Sequence, residues 1–302
     1  MIDHMATRRK RTLSGWSRTW RRAWTLMRIT LLLVIVLLGC AVVKSAQDGR
    51  YTYGKTFYWV ASDRVSESIR FVLITDLHLR QYGEDNAQLV EDVDSLRPDA
   101  ILLGGDLVTG SVDGYDGMLS LCAQLADVAP TYMVTGNHEE QKIYSEGDYQ
   151  LVSRFEATGV EVLSNRAVTL EIGEDIVQLV GLSGNEGGFE SYGGRDCMET
   201  LAADYEGLRV VMAHIPTLFP DVLERYAFDL GVAGHTHGGV VRLPYFGGLY
   251  TREEGLWPTY DGGCFDLANG ARLIVSRGMG SSSEAPRIFN QPELVVIDVS
   301  RY

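Results

Sequence analysis

Five times in this chain an apolar run stops at a polar segment built from glycine, aspartate, asparagine or histidine, and that recurrence constrains the fold more than anything else. Ile69 to Thr75 (IRFVLIT) ends at Asp76-Leu77-His78, and Ala100 to Leu103 ends at Gly104-Gly105-Asp106. Thr131 to Val134 runs on to Gly136-Asn137-His138-Glu139, LRVVMA (Leu208 to Ala213) stops at His214, and LGVA (Leu230 to Ala233) stops at Gly234-His235-Thr236-His237. Short runs without polar alternation suit strands buried on both faces. Amphipathic stretches separate them. Asp85 to Leu96 carries Leu89, Val90, Val93 and Leu96 at helical spacing, and Tyr115 to Val128 is the next helix. Strands alternating with helices predict an α/β protein with parallel pairing.

The remainder follows the same logic. Asp148 to Ala157 predicts a helix; Val160 to Leu163, Ala167 to Ile172 and Ile176 to Leu182 predict strands, the last two a hairpin around Gly173-Glu174-Asp175. Gly184 to Gly194 reads as a glycine-rich loop and Leu218 to Tyr226 as a short helix, while Arg272 to Ser276 and Leu294 to Val299 close the sheet system. Ser45 to Ser68 is a polar stretch.

In an open α/β sheet the carboxyl ends of the strands form the ligand crevice, so the five polar segments would converge there. Carboxylate, imidazole and amide donors together suit manganese, iron or zinc; calcium would want oxygen alone, and structural zinc would want thiolates. A dinuclear site follows. Of six histidines only His4 lies outside the five segments. An H-x-H flanked by glycines directly after an apolar strand has little use as core packing. Cys40, Cys122, Cys197 and Cys264 are scattered and indicate neither a zinc framework nor a disulfide scaffold.

The ordered set D-x-H, G-D, G-N-H-E, H and G-H-T-H resembles the calcineurin-like metallophosphoesterases over about residues 69 to 299. His237-Gly238-Gly239, VSRGMG (Val275 to Gly280) and Pro292-Glu293-Leu294 resemble its bacterial branch with an amino-terminal anchor or export signal, which includes cell-wall phosphodiesterases and UDP-2,3-diacylglucosamine hydrolase-like enzymes. The resemblance implies a four-layer α/β/β/α sandwich with two divalent ions, Mn, Zn or Fe/Zn, at the strand ends. It implies that Asp76, His78 and His237 hold one ion, that Asn137, His214 and His235 hold the other, and that Asp106 bridges them. His138 would meet the substrate phosphate and protonate the leaving oxygen after attack by a metal-bridging hydroxide, with Glu139 as its orienting neighbour. The text His214-Ile215-Pro216-Thr217 departs from this branch, where an acid usually follows the proline. Tyr245, Tyr250, Arg252, Arg277 and Arg287 are candidates for the pocket rim, since arginine suits phosphate and aromatic rings stack on bases or sugars.

The expected activity is hydrolysis of phosphate esters, diesters before monoesters, on a lipid-linked or wall-linked substrate. The alternative is pyrophosphate hydrolysis on a nucleotide-linked lipid precursor such as UDP-2,3-diacylglucosamine. A non-catalytic scaffolding member would have lost ligands, and here none is missing.

The net charge of −13 hides an asymmetry: the first 28 residues hold eight Arg or Lys against Asp3 alone, and the rest is strongly acidic. That composition lacks the basic stripe a nucleic-acid surface needs. Ile29 to Val43 is free of charge and bracketed by Arg28 and Lys44, which places the amino terminus in the cytoplasm by the positive-inside rule. The expected organisation is a basic tail (1–28), a transmembrane signal anchor (29–43), a linker and start of domain (44–68) and a phosphoesterase domain (69–302), single-pass in the cell membrane and extracytoplasmic. Two processed alternatives are a lipobox-like Leu37-Leu38-Gly39-Cys40 and a twin-arginine signal at Arg8-Arg9 or Arg21-Arg22.

Overall fold

The computed structural model describes residues 3–184, 186–281 and 286–301, with side chains from Thr19 onward except at 186–188. The side chains of Arg8 and Arg9, where an export signal was one expectation, lie outside the described residues, as do Met1, Ile2 and Tyr302 at the ends of the expected tail and domain.

A long helix, α1 (Asp3–Tyr51), leads into β1 (Gly54–Ala61) and β2 (Ile69–Ile74). Then come α2 (Ala87–Leu96), β3 (Ala100–Leu103), α3 (Asp116–Val128), β4 (Thr131–Met133), α4 (Asn137–Glu140), α5 (Leu151–Glu156) and β5 (Glu161–Val162). The second half holds β6 (Arg166–Ile172), β7 (Asp175–Leu182), α6 (Glu186–Ser191), α7 (Gly194–Thr200), β8 (Leu208–Ala213), α8 (Leu218–Asp221) and β9 (Leu230–Ala233). Two small hairpins, β10 (Arg242–Leu243) with β11 (Gly247–Gly248) and β12 (Tyr250–Thr251) with β13 (Gly255–Leu256), precede β14 (Gly263–Asp266), β15 (Arg272–Val275) and β16 (Glu293–Ser300).

The long strands form two six-stranded sheets, ordered β1-β16-β2-β3-β4-β5 and β14-β15-β9-β8-β7-β6. Within them β2, β3, β4 and β5 run parallel, as do β7, β8, β9 and β15. Side-chain alternation distributes each strand between two cores. From β2, Phe71 and Leu73 enter the core between the sheets, together with Met212, Val232 and Ile297. Val72 and Ile74 face the opposite way and pack with Leu89 of α2, Leu121 of α3 and Phe155 of α5. On the far side Val211 and Ala213 of β8 pack against Phe189, Met198 and Phe219 from α6 to α8. The result is four layers, α/β/β/α.

The structure corrects several expectations at element level. Ser45 to Ser68 contains β1, an edge strand of the first sheet paired in parallel with β16. It carries an apolar run from Phe57 to Ala61, but burial alternates along it and Phe57 and Trp59 are exposed, as on an edge strand rather than one buried on both faces. The glycine-rich stretch is largely helical, because buried Phe189 ties α6 to the core. Leu218 to Tyr226 divides at Val222 (φ −131°) into α8 and a 3-10 turn, Leu223–Arg225.

Within α1, Thr19–Tyr51 is long and apolar enough to cross a membrane by length and composition.

Candidate metal centre

The carboxyl ends of β2, β3 and β4 in one sheet and of β8 and β9 in the other deliver the five polar segments to one place. Hydrogen bonds between the loops fix their relative height: Asp76 N–H donates to Gly105 O at 2.9 Å, His78 N–H to Asp106 O at 3.1 Å, and Gly234 N–H to His214 O at 3.0 Å. Asp76, His78, Asp106, His235 and His237 all have φ between 47° and 71°. For residues with a Cβ this left-handed backbone costs about 1–2 kcal/mol each. The strain lets Asp76 and His78, or His235 and His237, turn toward one point although only one residue separates them. Gly136 and Gly234 have no substitute here. A Cβ at Gly136 would run into Asp106 Oδ1, and one at Gly234 into Asp76 Oδ2.

Three overlapping groups bring ligand atoms within 4.8 Å of one another: Asp76, His78 and His237; His78, Asp106 and His138; Asp106, His214 and His235. Asp106 Oδ2 lies 3.1 Å from His214 Nε2, 3.8 Å from His78 Nε2 and 4.0 Å from His138 Nε2, so it sits between the groups. Asp76 Oδ1 lies 3.7 Å from His237 Nε2 and 3.9 Å from His214 Nε2. Both carboxylates are buried. Asn137, at the start of α4, lines the same cleft of about 180 Å³ as Asp106, His138, His235 and His237.

The donor set fits divalent ions on three observations. His78 Nε2 and His237 Nε2 face each other at 3.1 Å, and His235 Nδ1 faces His214 Nε2 at 3.2 Å. Ring nitrogens brought so close share one proton at most, whereas a cation satisfies both lone pairs. Asn137 Oδ1 is buried without a hydrogen-bond partner among the described residues, as an oxygen ligand is before its ion arrives. His214 Nδ1 sits 2.7 Å from Gly104 O, which assigns the proton to Nδ1 and turns the Nε2 lone pair inward.

The electrostatics favour the neutral form at two of the rings. Burial pushes His78 down to about 4 against the pull of Asp106 and Asp76. Burial, opposed by Asp76 and helped by the Arg287 guanidinium, pushes His237 down to about 3, so both rings are neutral. His214 differs: burial is outweighed by Asp106 and the value rises to about 10, so its Nε2 carries a proton facing Asp106 that a bound ion would have to displace. Asp76 and Asp106 stay below the usual carboxylate range despite burial, held there by the surrounding imidazoles.

His138 is set apart from this group. Its Nδ1 accepts the backbone N–H of Gly110 at 2.8 Å, and its own N–H donates to Asp106 Oδ1 at 2.8 Å. The neutral ring must therefore carry its proton on Nε2.

Other sequence-derived candidates take different positions. Glu139 is neither beside His138 as an orienting group nor exposed: it is fully buried and accepts the amides of Asp106 and Gly136 at 2.8 Å each and of Val108 at 3.0 Å. It ties the loop after β3 to α4, and burial followed by the nearby Asp106 raises it to about 7. Arg277 is not on the rim, because its guanidinium pairs at 2.5 Å with buried Glu293. Arg287 is buried too, donating to Arg277 O at 2.6 Å and Gly280 O at 3.0 Å, with Nη2 3.1 Å from His237 Nδ1. Tyr250 and Arg252 do line the cleft, whereas Tyr245 is fully exposed on the first hairpin. One contact had no sequence signal: Glu253 Oε1 lies 2.7 Å from His235 Nε2, reached from the second hairpin.

The calcineurin-like phosphoesterase family model matches residues 69–239. An uncharacterized metallophosphoesterase of Aquifex aeolicus is 28% identical over 265 residues, 83% of this chain and 95% of that protein. The phosphodiesterase YaeI of Escherichia coli is 26% identical over 235 residues, 76% of this chain and 82% of its own length. Among solved structures, phosphopantetheinyl hydrolase from Mycobacterium tuberculosis superposes with a TM-score of 0.44 at 16% identity, covering 72% of this chain and 92% of that one. Because that family match spans β2 through β9, the strands whose ends carry Asp76, Asp106 and the five histidines of the centre, the chain belongs to the calcineurin-like phosphoesterases and is a metal-dependent phosphoesterase.

Proposed function

We propose that the protein is a membrane-tethered phosphodiesterase whose two divalent ions are held on either side of Asp106. Asp76, His78 and His237 would hold one ion, and Asn137, His214 and His235 the other. The observation that carries this reading is the position of Asp106 Oδ2 between His78 Nε2 and His214 Nε2, one from each set. Two ions at such a site supply charge neutralisation on the phosphoryl oxygens and a water acidic enough to be deprotonated near neutral pH.

The chain's own groups do the rest. His138 points an Nε2–H into the cleft because Gly110 occupies Nδ1, which suits it to hydrogen-bond a phosphate ester and protonate the departing alkoxide. Glu139 holds the amides of Asp106 and Gly136, keeping the Asp106 loop and the start of α4 in register. Arg252 and Tyr250 on the cleft wall offer a cation and a ring to whatever the phosphate carries. Diesters are favoured on the similarity to a relative named as a phosphodiesterase. The tether is α1, whose stretch from Ile29 to Val43 is uncharged.

The test is hydrolysis of bis-p-nitrophenyl phosphate against p-nitrophenyl phosphate by the full chain loaded in turn with Mn, Zn, Fe, Co or Mg. The diester is expected to be the better substrate, and His138→Gln is expected to keep its metal while kcat falls by about 10²- to 10⁴-fold. No hydrolysis of either ester with any metal would sink the reading, and wild-type turnover in metal-loaded His138→Gln would sink the role of His138.

A further inference from the structure

The two hairpins that follow His237 carry a concentrated set of exposed large apolar side chains: Leu243, Tyr245, Phe246, Tyr250, Leu256 and Trp257. Phe246 is 73% exposed and Leu256 67%. The Phe246 and Trp257 rings lie 6.1 Å apart, so the hairpins form one surface rather than two. Phe289 extends it, sharing a cavity with Leu243 and Tyr245, and the strand entry is fixed by Arg242 N–H donating to Ile288 O at 2.9 Å. An exposed apolar patch of this kind marks a place where something else is bound.

What binds is indicated by where the patch begins. Phe289 N–H donates to Ser45 Oγ on α1. Ser45 lies two residues beyond Val43, the end of the uncharged stretch, which is about 3 Å along a helix axis. Phe289 therefore sits at the level where α1 leaves the apolar layer it is long enough to cross. Tyrosine and tryptophan are the residues that favour that level, with an apolar ring toward the acyl chains and a polar edge toward water. The charges agree with an anionic lipid surface. Both acids of the second hairpin are already bonded within the protein, Glu253 to His235 Nε2 at 2.7 Å and Glu254 to the amides of Thr259 and Tyr260 at 3.1 and 3.0 Å. The other end of the patch reaches the chemistry, because Tyr250 lines the cleft that holds Asp106, His138 and His237.

We infer that the hairpins from Leu243 to Trp257 rest in the headgroup layer of the membrane that α1 crosses, so that the metal cleft opens at the lipid surface and takes a phosphodiester of a lipid headgroup. This rests on the reading of the chain as a membrane-tethered phosphoesterase. A second attachment also has a physical purpose: one helix alone leaves the domain free to turn about its exit point, and an aromatic face beside the exit fixes which side of the domain meets the lipid.

The experiment uses the full chain in vesicles of phosphatidylcholine and phosphatidylglycerol (3:1), with part of the phosphatidylcholine brominated at acyl carbons near the headgroup. The emission difference between wild type and Trp257→Phe isolates Trp257. Bromolipid is expected to quench that emission about two-fold, while iodide in the water quenches it less than a free indole. Full access to iodide without bromolipid quenching would overturn the inference, and so would shielding from both quenchers, which means cover by protein. In a second arm Phe246→Ser/Trp257→Ser is expected to hydrolyse bis-p-nitrophenyl phosphate as wild type does and to lose about ten-fold on vesicle-borne phosphatidylglycerol. An equal loss on both substrates, or a wild type inactive on the vesicle lipid, would overturn the substrate class. A wild type inactive on every soluble ester counts against the phosphoesterase reading instead, and the quenching still decides the position of the hairpins.

Discussion

Glu253 gives the His235 ring a fixed orientation: a carboxylate 2.7 Å from Nε2 holds the proton there and presents Nδ1 to the centre. A ligating histidine whose far nitrogen donates to a carboxylate keeps both its tautomer and its direction. Glu253→Ala is expected to weaken manganese binding by about 10- to 100-fold at one of the two ions, and Glu253→Gln, which keeps an acceptor oxygen, to weaken it far less. Calorimetric titration of the metal-free chain measures both; unchanged affinity in the alanine variant would remove Glu253 from the centre. The contrast between Glu253 and the histidines shows what sequence can convey at this scale. Five of six histidines stand at the ends of apolar runs, so their scarcity and position announce a site. Glu253 lies in a two-residue-strand hairpin with no periodicity around it, and one acid among many in an acidic chain carries no signal. Glu139 was visible as a neighbour of His138, but its neighbour in sequence is not its partner in space, since its oxygens face the loop after β3.

Among elements, the strands buried on both faces were the legible ones. Ala100–Leu103, Leu208–Ala213 and Leu230–Ala233 begin and end where their apolar runs do, because burial on both faces tolerates a polar residue only when it is fully partnered, as Arg209 is by Gln178 Oε1, Ala227 O and Ala202 O. Edge strand β1 obeys a weaker rule: it opens on Gly54, Lys55 and Thr56, and the exposed residues of its outer face, Phe57 and Trp59 among them, leave it without the burial that defines the inner strands. It is held to the sheet partly by charge. Glu293 of β16 accepts from Arg277 Nη2 at 2.5 Å, from the Arg277 amide at 2.9 Å and from Thr56 Oγ1 of β1 at 2.5 Å. Burial alone would raise the Glu293 pKa, but Arg277 outweighs it and holds the group below its ordinary 4.5. A carboxylate depressed in the fold contributes stability above its unfolded value and loses it as the pH falls through the folded one. Glu293→Gln is therefore expected to cost about 3 kcal/mol at neutral pH, the low end for a broken buried pair because Arg277 stays a quarter exposed. It is also expected to flatten the loss of stability below pH 4.5. Urea unfolding at pH 7 and at acid pH tests both, and an unchanged midpoint at pH 7 would show the pair to be dispensable.

For the whole molecule, alternating strands and helices announced an α/β protein with parallel pairing and the family resemblance implied its four layers, but the strand order was not legible. The last strand, β16, inserts between β1 and β2, parallel to one and antiparallel to the other, and no local pattern encodes a pairing between residues more than 200 positions apart. The proposed orientation of the tether rests on the basic residues before Ile29, and a carboxyl-terminal alkaline phosphatase fusion is expected to be active, whereas a green fluorescent protein fusion at the same point should be dark. The reverse pattern would put the centre on the cytoplasmic side and favour a nucleotide-linked precursor as substrate. Both orientations leave the centre itself intact, with Asp106 Oδ2 3.1 Å from His214 Nε2 and 3.8 Å from His78 Nε2. The proposed centre depends on the Asp106 carboxylate serving two ions, and the direct measurement is metal stoichiometry by mass spectrometry of the full chain equilibrated with manganese, wild type against Asp106→Asn. Two ions per wild-type chain and at most one in the variant are predicted; a single ion in wild type, or two retained in Asp106→Asn, would contradict it.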